Sequence, residues 1–167
     1  MAYSTVPKTT RDLTVALADN AGFGGANVLT LAYEPGDWTF TAPQEERVDI
    51  PDRNRLVSSV RYGVDQPITG SISTFWRDAT DAAVATLWDL LNQSGWLGSN
   101  WTSTLGTNAE VFAVDHRCTI EGSDHGDGAD HTITITDVSH DYSVADGTPL
   151  VTSVNWASHT DVRPTLT

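Results

Sequence analysis

Apolar and polar residues alternate with a period of two along most of the chain. In the first such segment, Leu13, Val15 and Leu17 share one face. Further alternating segments are 28–33, 37–41, 56–64, 68–76, 111–120, 131–143 and 149–158. Because successive side chains of a strand point to opposite faces, this period predicts β-strands.

One segment has the helical period instead. It follows Asp78, a residue type that caps helix N-termini well. Apolar side chains then recur at intervals of three and four, at Val84, Leu87, Trp88 and Leu91. This spacing predicts a helix over about 78–93, with one apolar stripe packed against a sheet.

The order of the elements is strands, one helix, then strands. It lacks the regular alternation of strands and helices that is typical of parallel sheets. We therefore predict a mainly β fold, with two packed antiparallel sheets in a sandwich or barrel and one flanking α-helix. The length of 167 residues suits a single domain over 1–167.

The polar segment 42–55, APQEERVDIPDRNR, interrupts the alternating pattern. It contains two prolines and several charged residues. Proline removes a backbone donor and charged side chains resist burial, so this segment does not suit a core strand. We predict a long excursion or hairpin that protrudes from the domain.

The charge balance is strongly acidic, with 22 acids against 9 bases, a net charge of −13, and Lys8 as the single lysine. An acidic coat of this kind is typical of proteins that work in molar salt, where screening weakens carboxylate repulsion. A second interpretation is that part of the charge repels a polyanion such as DNA. Under both interpretations, the negative net charge argues against a protein that binds nucleic-acid phosphates. With no apolar run of about 20 residues, we also expect no membrane insertion.

The motif GSDHGDGADH at 122–131 links two predicted strands. Glycine and aspartate suit a hairpin turn, because they accept positive φ and bond to their own backbone. The alternative is a bound cation, although the acid spacing does not fit an EF-hand and strong zinc spacings are absent. The turn is the favoured interpretation. The candidate metal ligands are Asp124, Asp127, Asp130 and His131.

No catalytic or cofactor motif is present, and we expect neither an enzyme nor a cofactor. There is no G-x-S-x-G, P-loop or G-x-G-x-x-G arrangement. His116 falls on the apolar face of its strand and is predicted to lie in the core, whereas His140 and His159 are predicted to be on the surface. Cys118, the single cysteine, is predicted to be a buried, inert thiol.

Two stretches resemble the tail tube proteins (major tail proteins) of long-tailed phages and archaeal viruses. One is VRYGVDQPITGS at 60–71, placed just before the predicted helix. The other is the D-x-S-x-x-D-G-x-P-L stretch from Asp141 to Leu150, which links the last two predicted strands. The resemblance covers about residues 10–160. The acidity exceeds that of a usual bacterial tube protein and favours a virus of a salt-loving host.

The resemblance implies a two-sheet sandwich or barrel whose copies form rings, hexameric in this family, that stack into a tail tube. The expected partners are copies of the chain, other tail proteins at the tube ends, and viral DNA that passes through the lumen without specific binding. The expected location is the virion tail, after synthesis in the host cytoplasm. Segment 42–55 matches the loop with which family members contact neighbouring subunits. Candidate inter-subunit residues are Trp38, Phe40, Glu45, Glu46, Arg47, Arg53 and Arg55.

Alternatives remain open at this point. Trp38 and Phe40 fit ordinary core packing as well as an interface between subunits. A carbohydrate- or cation-binding β-sandwich module is a second function, with Trp96 and Trp101 as a platform for a sugar. Another virion part of related fold, such as a tail terminator, is a third.

Overall fold

The computed structural model describes residues 13–31, 38–43, 47–54, 57–63, 66–75, 89–90, 93, 100–122, 129–145, 151–160, 164 and 167. Within these residues the strands are β1 (Leu13–Ala18), β2 (Val28–Leu31), β3 (Trp38–Thr41), β4 (Arg47–Pro51), β5 (Val57–Tyr62), β6 (Thr69–Phe75), β7 (Val114–Ile120), β8 (His131–Ala145) and β9 (Val151–Ser158).

Seven of these strands form one sheet, and the other two form a separate hairpin. The order in the large sheet is β2-β1-β7-β8-β9-β6-β3, and β4 pairs with β5. Every neighbouring pair is antiparallel. The mainly β, antiparallel fold predicted from the alternation is confirmed. Of the helix predicted at 78–93, Asp89 and Leu90 are helical and buried, and residues 78–88 lie outside the described residues.

Strand β8 joins the two parts of the large sheet. Its residues 131–138, the proximal half, pair with β7, and its residues 138–145, the distal half, pair with β9. Near the junction, Val114 pairs with Val138 but His116 pairs with Ile135, so β8 contains one extra residue. Such a bulge bends a strand and increases its twist.

Asp137 forms the bend. Its φ is 55°, a left-handed conformation that aspartate tolerates better than most residues. Its backbone N–H donates to the Asp115 carboxylate at 3.1 Å. The backbone N–H of His159 donates to the Asp137 carbonyl at 2.8 Å. Both neighbouring strands therefore hold the bend in place.

The core lies between the two parts of the bent sheet. Val15 and Cys118 come from one part, and Ile72 and Val154 from the other, yet all four belong to one buried cluster. The alternating pattern of β1 marked Leu13, Val15 and Leu17 as the inner face. In addition, Ala16 and Ala18 are buried, so β1 is covered on both sides.

Asp19 connects two loops next to the core. It is buried, with 3% of its surface exposed. One carboxylate oxygen accepts the backbone N–H of Ala21 at 3.0 Å. The other accepts the side-chain amide of Asn27 at 3.0 Å and the backbone N–H of Thr102 at 3.3 Å. A single carboxylate thereby ties segment 19–27 to segment 100–103.

Glycine is required at position 70 of β6, where two neighbours come very close. A Cβ atom placed on Gly70 would overlap the Thr39 carbonyl oxygen on β3 and the indole ring of Trp156 on β9. The Trp156 side chain therefore packs directly on the backbone of β6. Within the described residues, no helix is long and apolar enough to cross a membrane.

Candidate functional site

The β4–β5 hairpin is the most exposed element of the described chain. Every residue of β4 is exposed. Segment 56–64 alternates like a strand with one buried face, but in β5 Val60 is 42% exposed, and so is Val57 at 52%. The physical reason is the pairing: β5 pairs with β4 and not with any described strand of the large sheet. The hairpin overlaps the segment 42–55, whose role as a protruding excursion stays a prediction.

Both faces of the hairpin carry exposed apolar side chains. Val48 and Ile50 alternate onto one face, opposite Arg61 and Ser59 of β5. On the other face, Val60 pairs with Asp49, and Val57 pairs with Pro51. A strand at the surface of a domain usually buries one face on the core. Among the described residues, exposed apolar side chains lie on both faces, and an isolated hairpin is marginally stable in water at best.

The hairpin carries a net positive charge on an acidic chain. Residues 47–62 contain four arginines and two aspartates, a net charge of +2 on a chain of net charge −13. Arg47 forms an exposed ion pair with Asp49 at 2.6 Å, and Arg53 lies in the exposed turn. The hairpin therefore combines apolar groups, which suit burial in an interface, with basic groups, which complement an acidic protein surface.

The other candidate inter-subunit residues are placed as follows. Trp38 and Phe40 lie on β3, are partly exposed, and contact each other with ring centroids 5.3 Å apart. Trp38 also stacks on Trp156 at 6.3 Å and packs against both core clusters. Their role between subunits stays a prediction. Glu45, Glu46 and Arg55 lie outside the described residues.

The strands β8, β9, β6 and β3 form a four-stranded part of the sheet with two open margins. On one side, β3 is the last strand. On the other side, residues 139–145 of β8 pair with β9, whereas β7 pairs only as far as Val138. Within the described chain, no strand covers either margin. Open margins present backbone N–H and C=O groups that readily pair with another chain.

The outer surface of this four-stranded part is rich in hydroxyl groups. A shallow groove crosses it, lined by Thr39, Thr41, Thr69, Ser71, Ser139, Asp141 and Asn155. The hydroxyls of Thr39 and Ser71 lie 2.9 Å apart and form a hydrogen bond across β3 and β6. Asp141 is the one charged residue that lines the groove. Such a surface offers no cation to hold a phosphate.

The predicted turn at 122–131 connects β7 and β8, which are antiparallel neighbours. The Asp130 carboxylate accepts the backbone N–H of Gly122 at 3.0 Å, and His131 begins β8 opposite Ile120. Asp124 and Asp127 lie outside the described residues. Among the residues that the structure does describe, no three histidine, cysteine, aspartate or glutamate side chains are grouped to hold a metal.

Cys118 is buried, as predicted, and burial raises the pKa of its thiol to about 11. A thiol with this pKa stays protonated and unreactive at neutral pH. His116 is also buried, as predicted.

His140, which was predicted to lie on the surface, is half-buried and contacts His116. Its Nε2 atom lies 2.8 Å from Nε2 of His116, and the two rings are stacked at 5.0 Å. The pleat explains this placement, because position 140 shares the inner face of β8 with Val138 and pairs with Trp156 of β9. His159 is exposed and bonds to Ser139.

Trp101 does not form a platform for a sugar. It has 6% of its surface exposed and belongs to the main core cluster. A stacking platform needs an exposed ring face, so this observation weakens the carbohydrate-binding alternative. Trp96 lies outside the described residues.

The chain is similar in fold to several solved structures, but the sequence comparisons found no match. No protein-family model and no curated sequence matches the chain. A sheath/tube terminator of an extracellular contractile injection system (PVC), in its extended state, is similar with a TM-score of 0.62 and 9% identity over 99% of both chains. The tube-terminating cap of the anti-feeding prophage (AFP) has a TM-score of 0.60 and 9% identity, over 100% of this chain and 95% of the other.

A third similar structure is a chain of the six-fold symmetrised baseplate of the anti-feeding prophage. Its TM-score is 0.54 at 9% identity, over 100% of this chain and 97% of the other. All three solved structures therefore match the chain over nearly its whole length. At this level of identity the likeness shows the fold.

Proposed function

We propose that this chain is a structural subunit of a phage-tail-like particle and that copies of it join into a closed ring. The observation that carries the proposal is the four-stranded part of the sheet with an open margin on each side. The likeness in fold to components of tail-like particles supports it. A structural subunit does no covalent chemistry, in agreement with a sequence that has no catalytic motif.

Strand directions make the two margins compatible. The order β8-β9-β6-β3 is antiparallel throughout, so β8 and β3 run in opposite directions. When β3 of one copy lies beside residues 139–145 of the next, the antiparallel alternation continues across the boundary. Each copy then offers two different margins, which is the head-to-tail arrangement that closes into a ring. We propose six copies, in keeping with the six-fold symmetry given for the similar baseplate.

We expect engineered cysteines at the two margins to cross-link neighbouring copies. The pairs combine one cysteine on β3, at Thr39 or Thr41, with one on β8, at Asp141 or Ser143. All four positions lie on the same surface of the sheet, so the pairs test several alignments of β3 with β8 of the next copy. Within one copy the two positions are separated by β9 and β6, about 14 Å at the usual strand spacing, which is too far for a disulfide. The native thiol, Cys118, is buried and does not interfere. Denaturing gel electrophoresis after oxidation at molar salt should show a ladder ending at the ring size.

Thr14→Cys combined with Ser143→Cys is the matched control, because Thr14 is exposed but lies on β1, between two other strands. This pair should remain monomeric on the gel. If every margin pair also remains monomeric while electron microscopy shows rings, the rings use other contacts and the assignment of these margins is wrong. If neither rings nor ladders form at any salt concentration, the whole proposal fails.

Two positions in the particle are compatible with a ring. The resemblance in sequence favours the tail tube itself, in which rings stack. The likeness in fold to a tube terminator and a tube-terminating cap favours a second candidate, a single ring at the end of the tube. Electron microscopy of the purified protein separates them, since a tube subunit forms stacks and a terminator forms single rings.

We propose that the β4–β5 hairpin inserts against a neighbouring copy. Its two uncovered apolar faces suit an element held between partners, and its net positive charge suits the acidic surface of another copy. Replacing Val48, Ile50, Val57 and Val60 by threonine should leave the fold intact, because these side chains are exposed, but should reduce assembly about tenfold or more. Sedimentation velocity at several protein concentrations measures this change.

Val111→Thr provides the comparison, since Val111 is 40% exposed in a loop away from the hairpin. Assembly of this variant should match that of the unmodified protein. If the hairpin variant assembles as well as the unmodified protein, the hairpin does not contribute to the interface.

We further propose that the hydroxyl-rich surface faces the lumen and that the viral DNA moves past it. Five hydroxyl groups, the Asn155 amide and the Asp141 carboxylate are the polar groups that line the groove, beside Gly70, Trp156 and Ala157. Such a wall does not fix phosphates, so a polyanion slides without arrest. In molar salt the repulsion from carboxylates is weak, and the absence of binding matters more than the repulsion.

A further inference from the structure

A buried histidine pair spans the place where β7 and the distal half of β8 separate. His116 has 1% of its surface exposed and lies on β7. Its ring contacts His140 of β8 through the Nε2 atoms, 2.8 Å apart, and the ring of Trp156 of β9, with centroids 5.0 Å apart. β7 and residues 139–145 share no backbone pairing. The histidine pair is therefore a side-chain connection across a gap in the ladder.

This contact is best satisfied when both rings are neutral. One Nε2–H donates and the other Nε2 accepts, so a single proton lies between the two rings. The Nδ1 atom of His116 is buried and has no hydrogen-bond partner among the described residues. An N–H at that position would be a buried donor without an acceptor, so we assign Nε2–H to His116 and Nδ1–H to His140. An added proton either goes to Nε2 of His140, where two Nε2–H donors then face each other, or goes to Nδ1 of His116, where it is a buried donor without an acceptor.

We propose that the His116–His140 contact is an acid-released latch, which holds the distal half of β8 against β7 when both rings are neutral. His140 belongs to the open margin at 139–145, which is proposed to contact the next copy, so the pair holds part of that margin. The latch is a property of the single chain and holds whether or not the chain forms rings.

The surroundings of the pair favour the neutral form. Burial, followed by the charge of His140, lowers the pKa of His116 well below its ordinary value. His140 is half-buried, and burial lowers its pKa to about 4. The charged neighbours along the strands, Asp115, Arg117 and Asp141, alternate onto the opposite face, and Arg117 lies over the ring of Phe23.

The direction of the pH effect follows from these pKa values. In the unfolded chain a histidine titrates near 6.5, whereas His140 in the folded chain titrates near 4. Below about pH 6.5 the unfolded state therefore binds more protons, and the stability present above that pH is lost as the pH falls towards 4. His116 acts in the same direction. Burial raises the pKa of Asp115 above 3.8, an effect of opposite sign, so the latch is measured above pH 5.

The experiment is urea unfolding of the full chain at pH 7 and pH 5, with His140→Gln and the control His159→Gln. For the unmodified chain, His140 alone should raise the unfolding equilibrium constant about 20-fold between these two pH values. Glutamine keeps a hydrogen-bonding group near His116 but does not titrate, so His140→Gln should remove about that factor. His159 is exposed, and its replacement should leave the pH profile unchanged.

Two further readouts locate the effect. Hydrogen exchange should show that amides of residues 139–145 open in acid before the rest of the large sheet does. Nitrogen NMR of the unmodified chain should show both rings neutral at pH 6, a result that does not depend on any variant folding. Identical pH profiles for the unmodified chain and His140→Gln, a ring of His140 that titrates near 6.5, or acid opening spread evenly over the sheet would each overturn the latch.

Discussion

Gly70→Ala is expected to cause the largest loss of stability of any single methyl addition in the described chain. The new Cβ atom would overlap the Thr39 carbonyl oxygen and the Trp156 ring. A backbone atom cannot move aside as a flexible side chain can, so β3, β6 and β9 must separate. Overpacking of this kind costs about 3 kcal/mol or more of the unfolding free energy, a large part of the total for a small domain. Thermal unfolding should show a midpoint lower by roughly 10 °C.

Gly24→Ala is the matched control for this substitution. Gly24 has an ordinary φ, and a Cβ atom placed on it would meet no other atom within 4 Å. Its replacement by alanine should change the unfolding free energy by less than about 0.5 kcal/mol. A Gly70→Ala variant with the midpoint of the Gly24→Ala variant would show that Trp156 and β3 do not pack on β6 as described.

The second large effect is expected from Asp19→Ala. The substitution removes a buried carboxylate that accepts from three N–H groups, on Ala21, Asn27 and Thr102, in bonds that are partly buried. Donors that lose a charged acceptor and gain no water cost about 1.5–3 kcal/mol each when considered alone, and the three are coupled. We expect a total loss of about 3 kcal/mol in urea unfolding.

The control for Asp19→Ala is Asp49→Ala in the hairpin. Asp49 also bonds to a nitrogen donor, Arg47, but both side chains are exposed, and exposed ion pairs contribute little to stability. The stability of this variant should stay close to that of the unmodified protein. Equal losses for the two aspartates would mean that the buried network does not connect the loops.

The strands were largely predictable because alternation is a local property. β6, β8 and β9 follow the predicted segments closely, and Ile72, Cys118 and Val154 lie in the core as the pattern indicated. The pairing partner and exposure of segment 56–64 could not be predicted from alternation. Leu56, Val60 and Tyr62 alternate in sequence as core residues do, but β5 pairs with β4, and the choice of strand partner depends on distant parts of the chain.

His140 shows a second limit of the sequence. The polar neighbours in SHDYS favoured the surface, yet position 140 has the same parity as Val138, which marks the inner face of β8. This shared parity was the sequence feature that could have placed His140 on the inner face of β8. The contact with His116 also needs the bend at Asp137, and no feature of the local sequence predicts an aspartate in the left-handed conformation. The open margins of the sheet likewise become visible only when the strand order is known.

Strand β8 has a consequence for the mechanics of the molecule. Its 15 residues run without interruption through both layers, so a pull along this strand loads the ladders to β7 and β9 together. A pull along the strand loads many backbone hydrogen bonds in shear at the same time. A pull across the strand breaks these hydrogen bonds one after another. If copies join as proposed, each subunit resists a pull along either half of β8 more strongly than a pull across it.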